Sequence, residues 1–423
     1  MIDIGPMPTG GTTAAEATRL RLTERHVLAL GLATSGLLVA AAAVAAAAAV
    51  LSGGSPWVAI HLAMAGAASV AIGTFMPHFA VTLAGTRPRP ALERLAAVAL
   101  LASGAVCVVV GVALAGGWLA GFGAAAMLGG LAVVAVQTFA PLRDPLARRH
   151  HVVTVTYGTA LAMLAAAIVI GGLGAVGLPG VVSAWAQLRP AHVWLALFGA
   201  VSLTIFATLV YLAPTVLGTR IRASRSLIVG AVGILVGPLT AAVGFGFAAR
   251  PVVVVGIALA IVGAVGQLGY LVDVIRRRGP FRSEHDWRRV AWVHLSAGPA
   301  WFAAALVVAL AGVVAGDPLR GWSIGPLVIP MVAGWMLQEL IGSWTHLVPS
   351  VTPGSAADHA RQRRILAVAS RSRLVTLNVG VGLAWAGAGL DALAVAVVGA
   401  LLLGAVVTVS LAALVRSLAA ARY

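Results

Sequence analysis

AHVWLALFGAVSLTIFATLVYLAPTVL, residues 191–217, runs for 27 residues without an Asp, Glu, Lys or Arg. A helix rises about 1.5 Å per residue and a bilayer's hydrocarbon core is about 30 Å thick, so this run alone can cross a membrane. At that length only a helix satisfies its own backbone hydrogen bonds in hydrocarbon. Eleven similar runs lie near 27–51, 57–85, 91–115, 118–140, 152–176, 226–248, 251–274, 289–315, 322–348, 373–389 and 391–417. The whole chain agrees with this reading: its 423 residues are 61% hydrophobic and only 9% charged. A water-soluble protein needs about a quarter of its residues charged. Lipid must therefore cover most of the exterior, which excludes a soluble enzyme and a disordered chain.

The net charge of +16 resolves into a topology. Every one of the 28 basic residues is Arg, and all but Arg189, Arg250 and Arg320 fall on one side if the N-terminus is cytoplasmic. Arg87, Arg89 and Arg94, then Arg220, Arg222 and Arg225, are two such clusters. The positive-inside rule then places the N-terminal tail, 1–26, and the C-terminal tail, 418–423, in the cytoplasm, on either side of one transmembrane domain, 27–417. The first run lacks a small-residue cleavage site and reads as a retained helix, not a signal peptide. With basic residues dispersed between spans there is no polar domain for nucleic acid. The Arg-only usage, with abundant Ala, Gly and Val, points to a bacterial cytoplasmic membrane. The single cysteine, Cys107, excludes a disulfide framework.

An internal repeat organises the spans. Gly85-Thr86-Arg87 after the second span reappears as Gly218-Thr219-Arg220 after the sixth, and Leu212-Ala213-Pro214 reappears as Leu347-Val348-Pro349 at the end of the tenth. The expected fold is an all-α polytopic membrane bundle of 12 transmembrane helices arranged as three four-helix repeats, about 27–140, 152–274 and 289–417. In this register His78, Tyr211 and His346 are equivalent, as are His61, Trp194 and Ile329.

Ionisable groups inside spans are costly and mark function by default. His61 and His192 lie near the outer ends of spans two and six, and read either as metal ligands or as interfacial anchors. His78, His294, Glu339 and His346 lie toward the inner side, with Glu339 the deepest and His346 two turns, about 10 Å, along the same helix. They are candidates for a proton or ion site.

Three four-helix units with His on the outer halves of helices two and six resemble subunit I of the haem-copper oxidases. The resemblance is closest to their C-family and nitric-oxide-reductase branches and to the NnrS-like membrane proteins. It rests on His61-Leu-Ala-Met-Ala-Gly66, on His192-Val-Trp-Leu-Ala-Leu-Phe-Gly199 with Tyr211-Leu-Ala-Pro214, and on Gly334-Trp335 with His346-Leu-Val-Pro349. The departures are larger. Where that family carries a His-x-His in helix ten this chain has Leu327-Val328-Ile329, and its seventh helix, Leu227 to Phe247, holds no His. The resemblance therefore implies a relative without the dinuclear centre, not a complete terminal oxidase or nitric oxide reductase.

What the resemblance leaves is one haem b on His61 and Met331, or a copper ion on His61, Met64 and His192, or no cofactor at all. Electron transfer, metal handling or nitrosative-stress defence would follow, with a cupredoxin or other redox partner as a separate protein. The competing expectation is a cofactor-free, proton-coupled transporter using Glu339 and the inner histidines, with helix breaks at Pro238, Pro299 and Pro330. A third is a structural subunit of a respiratory complex.

Overall fold

The computed structural model describes residues 14–143, 151–278, 286–316, 322–352 and 354–420. Among them every regular element is a helix. Twelve long helices are numbered in chain order: α1 Ala14–Ser52, α2 Trp57–Ala84, α3 Ala91–Ala113, α4 Gly117–Leu142, α5 His151–Val176 and α6 Trp185–Leu217. The second half continues with α7 Arg225–Gly246, α8 Arg250–Arg278, α9 Asp286–Ala315, α10 Gly325–Val351, α11 Ser370–Gly389 and α12 Leu393–Ala419. Eleven of them are long and apolar enough to cross a membrane. The chain is a multi-pass helical membrane protein. Helix α1 begins at Ala14, and its apolar, membrane-spanning part is His26–Ser52.

The exception is α11, whose 20 residues include Arg371, Arg373 and Asn378. It nonetheless lies beside α12 along its length. A Cβ at Gly387 would come within 2.3 Å of the Ala396 nitrogen, and one at Gly380 within 3.2 Å of the Gly399 carbonyl oxygen. Near the other end, Arg373 Nη1 donates to Ser410 Oγ at 3.5 Å. It packs against α12 but is not one of the helices apolar enough to span, so the structure supports eleven of the twelve expected spans.

The repeat is visible in backbone detail. Helices α2 and α6 each end on a left-handed glycine, Gly85 (φ 64°) and Gly218 (φ 68°). Each is followed by a Thr whose N–H turns back to the helix, Thr86 to Val81 O and Thr219 to Pro214 O. The Gly-Thr-Arg motif is thus a helix C-cap. The pairs α3/α4, α7/α8 and α11/α12 are tight hairpins that turn on Ala115, Ala248 and Asp391, at φ 53°, 55° and 52°. Gly111, Gly244 and Gly387 approach Ala120, Val253 and Ala396 across these hairpins, each pair nine residues apart. Hydrocarbon offers no hydrophobic drive between helices, so such close backbone contact supplies their adhesion.

The same regularity reaches the centre. Segments of π-helix interrupt α2 at Leu62–Ala68, α6 at Trp194–Val201 and α10 at Ile329–Met336. Ser69 and Ser202 both donate to the carbonyl five residues back, Met64 O at 3.4 Å and Leu197 O at 3.0 Å, which fits the wider turn. Between α10 and α11 the third unit carries an added helix, Ala356–Leu366, started by a Ser355/Asp358 capping box. The three π-bearing helices form the middle of the bundle: 78% of the most apolar window is buried in α6, 67% in α10 and 61% in α2, against 17% in α12.

Candidate functional site

Outer and inner denote here the Arg-poor and Arg-rich ends of the bundle. At the outer end, His61 closes the α-helical first turn of α2 and His192 lies two residues before the π-segment of α6. The two rings are nearly parallel, 11° apart, with centroids 6.5 Å from each other. His61 also stacks on Trp57 at 4.0 Å. Its Nδ1 pairs with the Trp57 carbonyl at 2.9 Å, and His192 Nδ1 pairs with the Ala167 carbonyl at 2.8 Å. A carbonyl can only accept, so each Nδ1 carries the proton and each Nε2 keeps its lone pair. Gly171 makes room for this, since a Cβ there would come 2.8 Å from His192 Cε1.

Inward from the pair, an apolar layer closes the centre, built on Ala68, Val201 and Met336 with Met64 packed against it. These three residues are equivalents in the sequence register. Met64 therefore packs with an apolar cluster one π-turn away from His61. Met331 is fully buried in the main core.

Beneath that layer is a partly open cavity of about 90 Å³ lined by α2, α6 and α10. Six positions line it, and each occurs three times in register. Ala71, Thr204 and Glu339 form one set, Phe75, Thr208 and Ser343 another, Met76, Leu209 and Trp344 a third. Each of the three helices thus offers the same six register positions to the cavity, and Glu339 is the one ionisable residue of the lining. Thr204 Oγ1 donates to Ala200 O at 2.8 Å, and Thr208 Oγ1 meets the Tyr157 hydroxyl at 3.1 Å. Glu339 is 4% exposed, and its Oε1 is buried without a hydrogen-bond partner. It fits only because residue 298 is glycine: a Cβ there would lie 2.6 Å from that oxygen.

The remaining inner candidates separate from Glu339. His294 is fully buried, with Gln338 and the Arg373 guanidinium as polar neighbours. Gln338 and Asn378 exchange hydrogen bonds at 3.2 and 3.3 Å, and Trp301 Nε1 donates to Asn378 Oδ1 at 2.7 Å. Arg373 also donates to the Leu366 carbonyl. This polar network ties α9, α10 and α11 together. His346 stacks on Trp287 at 5.6 Å, over which Arg363 lies at 4.6 Å. His78 lies against Phe79, which in turn meets Tyr211 at 5.7 Å. Among the described residues no three His, Cys, Asp or Glu side chains gather into a metal-binding group.

The structure thus brings His61 and His192 together and isolates Glu339 in a cavity. Trp57, Gly298, Asn378 and the threonines are participants that sequence reading passed over. Asn378 could have been found as a lone amide in an apolar run, and Trp57 by its helical spacing from His61. Gly298 carried no signal. No family model and no curated protein matches the chain.

Proposed function

We propose that this protein is a transporter of the bacterial cytoplasmic membrane, with its Arg-rich side and both termini facing the cytoplasm. Its transport site is the cavity among α2, α6 and α10, and Glu339 is the proton-exchanging group. One observation carries the reading: a single carboxyl, Glu339, among the residues that line a cavity at the centre of the bundle. A carboxylate in hydrocarbon surroundings must be neutralised, by a proton or by a cation that takes the proton's place. Such a group couples proton movement to solute movement. The apolar layer at Ala68, Val201 and Met336 closes the outer route, as a closed gate would. No cofactor is needed for this activity.

The test uses proteoliposomes with an entrapped pH-sensitive dye and imposed gradients of short alkylammonium ions or neutral solutes. Wild type should move protons in response. Glu339→Gln should lower that flux at least tenfold, about 1.4 kcal/mol on the barrier. Equal flux in both proteins would sink the reading.

The outer pair favours a second reading, metal handling, which is also where the resemblance to haem-copper oxidases points. The His61 and His192 rings lie beside each other, their centroids 6.5 Å apart. Both lone pairs are held available by the backbone, and two imidazoles suit copper. Copper thus fits the donor set of His61 and His192, with Met64 one turn inward. Haem b on His61 and Met331 gains no support from the packing, because Met331 is fully buried in the apolar core.

A further inference from the structure

The structure assigns to the Glu339 cavity a ligand class: a short-chain primary alkylammonium ion, its head on Glu339 and its tail against the inner apolar walls. This deepens the transport reading and rests on it only for what happens after binding. The polar groups are layered. Glu339 and Thr204 share the outermost polar level, and Thr208 and Ser343 lie one turn further in. Met76, Leu209, Trp344, Phe79 and Leu212 form the walls beyond.

An ammonium head needs acceptors, and the cavity supplies them. Thr204 uses its own proton on the Ala200 carbonyl, so its oxygen faces any ligand with lone pairs only. Glu339 is the one carboxyl of the lining, and when ionised it only accepts. Charge-assisted N–H···O⁻ bonds are the strong kind, and one carboxylate balances one positive charge in a dry site. A bare metal ion would want a shell of oxygens, whereas most of this lining is carbon. The volume sets the tail. The cavity, about 90 Å³, is smaller than the roughly 150 Å³ void that accepts benzene, so a short alkyl chain fits inside and an aryl group would have to extend through its open side. Binding is an exchange: the neutral Glu339 carboxyl releases its proton to water as the protonated amine takes its place, and no covalent bond other than that O–H is broken.

The experiment is calorimetry on the full-length protein in nanodiscs, titrated with butylammonium and, for comparison, butyrate and phenethylammonium. Runs in two buffers of different ionisation enthalpy count the protons released. Butylammonium should bind with about one proton released, with butyrate and phenethylammonium at least tenfold weaker. Glu339→Gln should weaken butylammonium at least tenfold at unchanged thermal stability. If that variant does not fold, Ala71→Leu, which fills the same cavity from α2, should do the same. Binding unaffected by both variants, or a preference for butyrate, overturns the inference. Proton flux that depends on Glu339 without ammonium binding overturns it while leaving the transport reading intact; ammonium binding without flux does the reverse.

Discussion

The residues that matter most are legible to different degrees, for physical reasons. Glu339 and the histidines stand out in sequence because ionisable groups are rare in apolar runs, and that rarity needs no fold to be seen. Their grouping does need one. His61 and His192 differ by 131 residues, two short of the repeat offset that links Gly85 to Gly218, so register alone sets them on different levels. The π-segments and the Trp57 stack bring the rings to 6.5 Å. The inner histidines read as one group by depth, yet His294 lies beside Gln338 and Arg373 and His346 stacks on Trp287. Depth along a helix carries no information about which face a residue is on. If the outer pair handles metal, copper(I) should titrate to one equivalent per chain. Loss of either imidazole, in His61→Ala or His192→Ala, should weaken that affinity by at least about tenfold, the lower range seen even for outer-shell partners. Wild-type protein that takes up no copper in a competition assay would end the metal reading.

At the level of elements, all twelve expected runs are helices, because continuous apolar sequence has no other way to satisfy its backbone in lipid. Two features escaped. The π-segments leave no mark in composition, since widening a turn changes hydrogen bonding and not hydropathy. The hairpin turns place Ala115, Ala248 and Asp391 in left-handed backbone, where glycine is the residue a reader looks for. That mismatch gives a direct expectation. An L-residue in this conformation costs about 1–2 kcal/mol, while added chain entropy from glycine offsets about 0.5–1 kcal/mol. Ala248→Gly should therefore stabilise the protein by about 0.5–1 kcal/mol, read as a higher unfolding temperature in detergent. A lower one would mean that the Ala248 methyl is itself a packing contact.

For the whole molecule, the three-unit plan was readable from two short repeated motifs, and the cavity lining reproduces that register at all six positions. The cavity itself was not readable, because a space between helices depends on side chains from three distant parts of the chain. If the three helices are interchangeable around it, the carboxyl should function from another of them. Glu339→Thr combined with Thr204→Glu, and with Met163→Gly to supply in register the gap that Gly298 gives Glu339, should recover butylammonium affinity to within about tenfold of wild type, about 1.4 kcal/mol, measured by the same calorimetry; no recovery would show that the units are not equivalent in function. The capped helix Ala356–Leu366 occurs in the third unit alone, so the units are already unequal in their connections. The central triad of Ala71, Thr204 and Glu339 carries a deeper inequality. A ring of three identical four-helix subunits could place three carboxyls on its axis or none, since symmetry copies every side chain. Three units joined in one polypeptide can instead place a single carboxyl there, the count that one positive charge would balance.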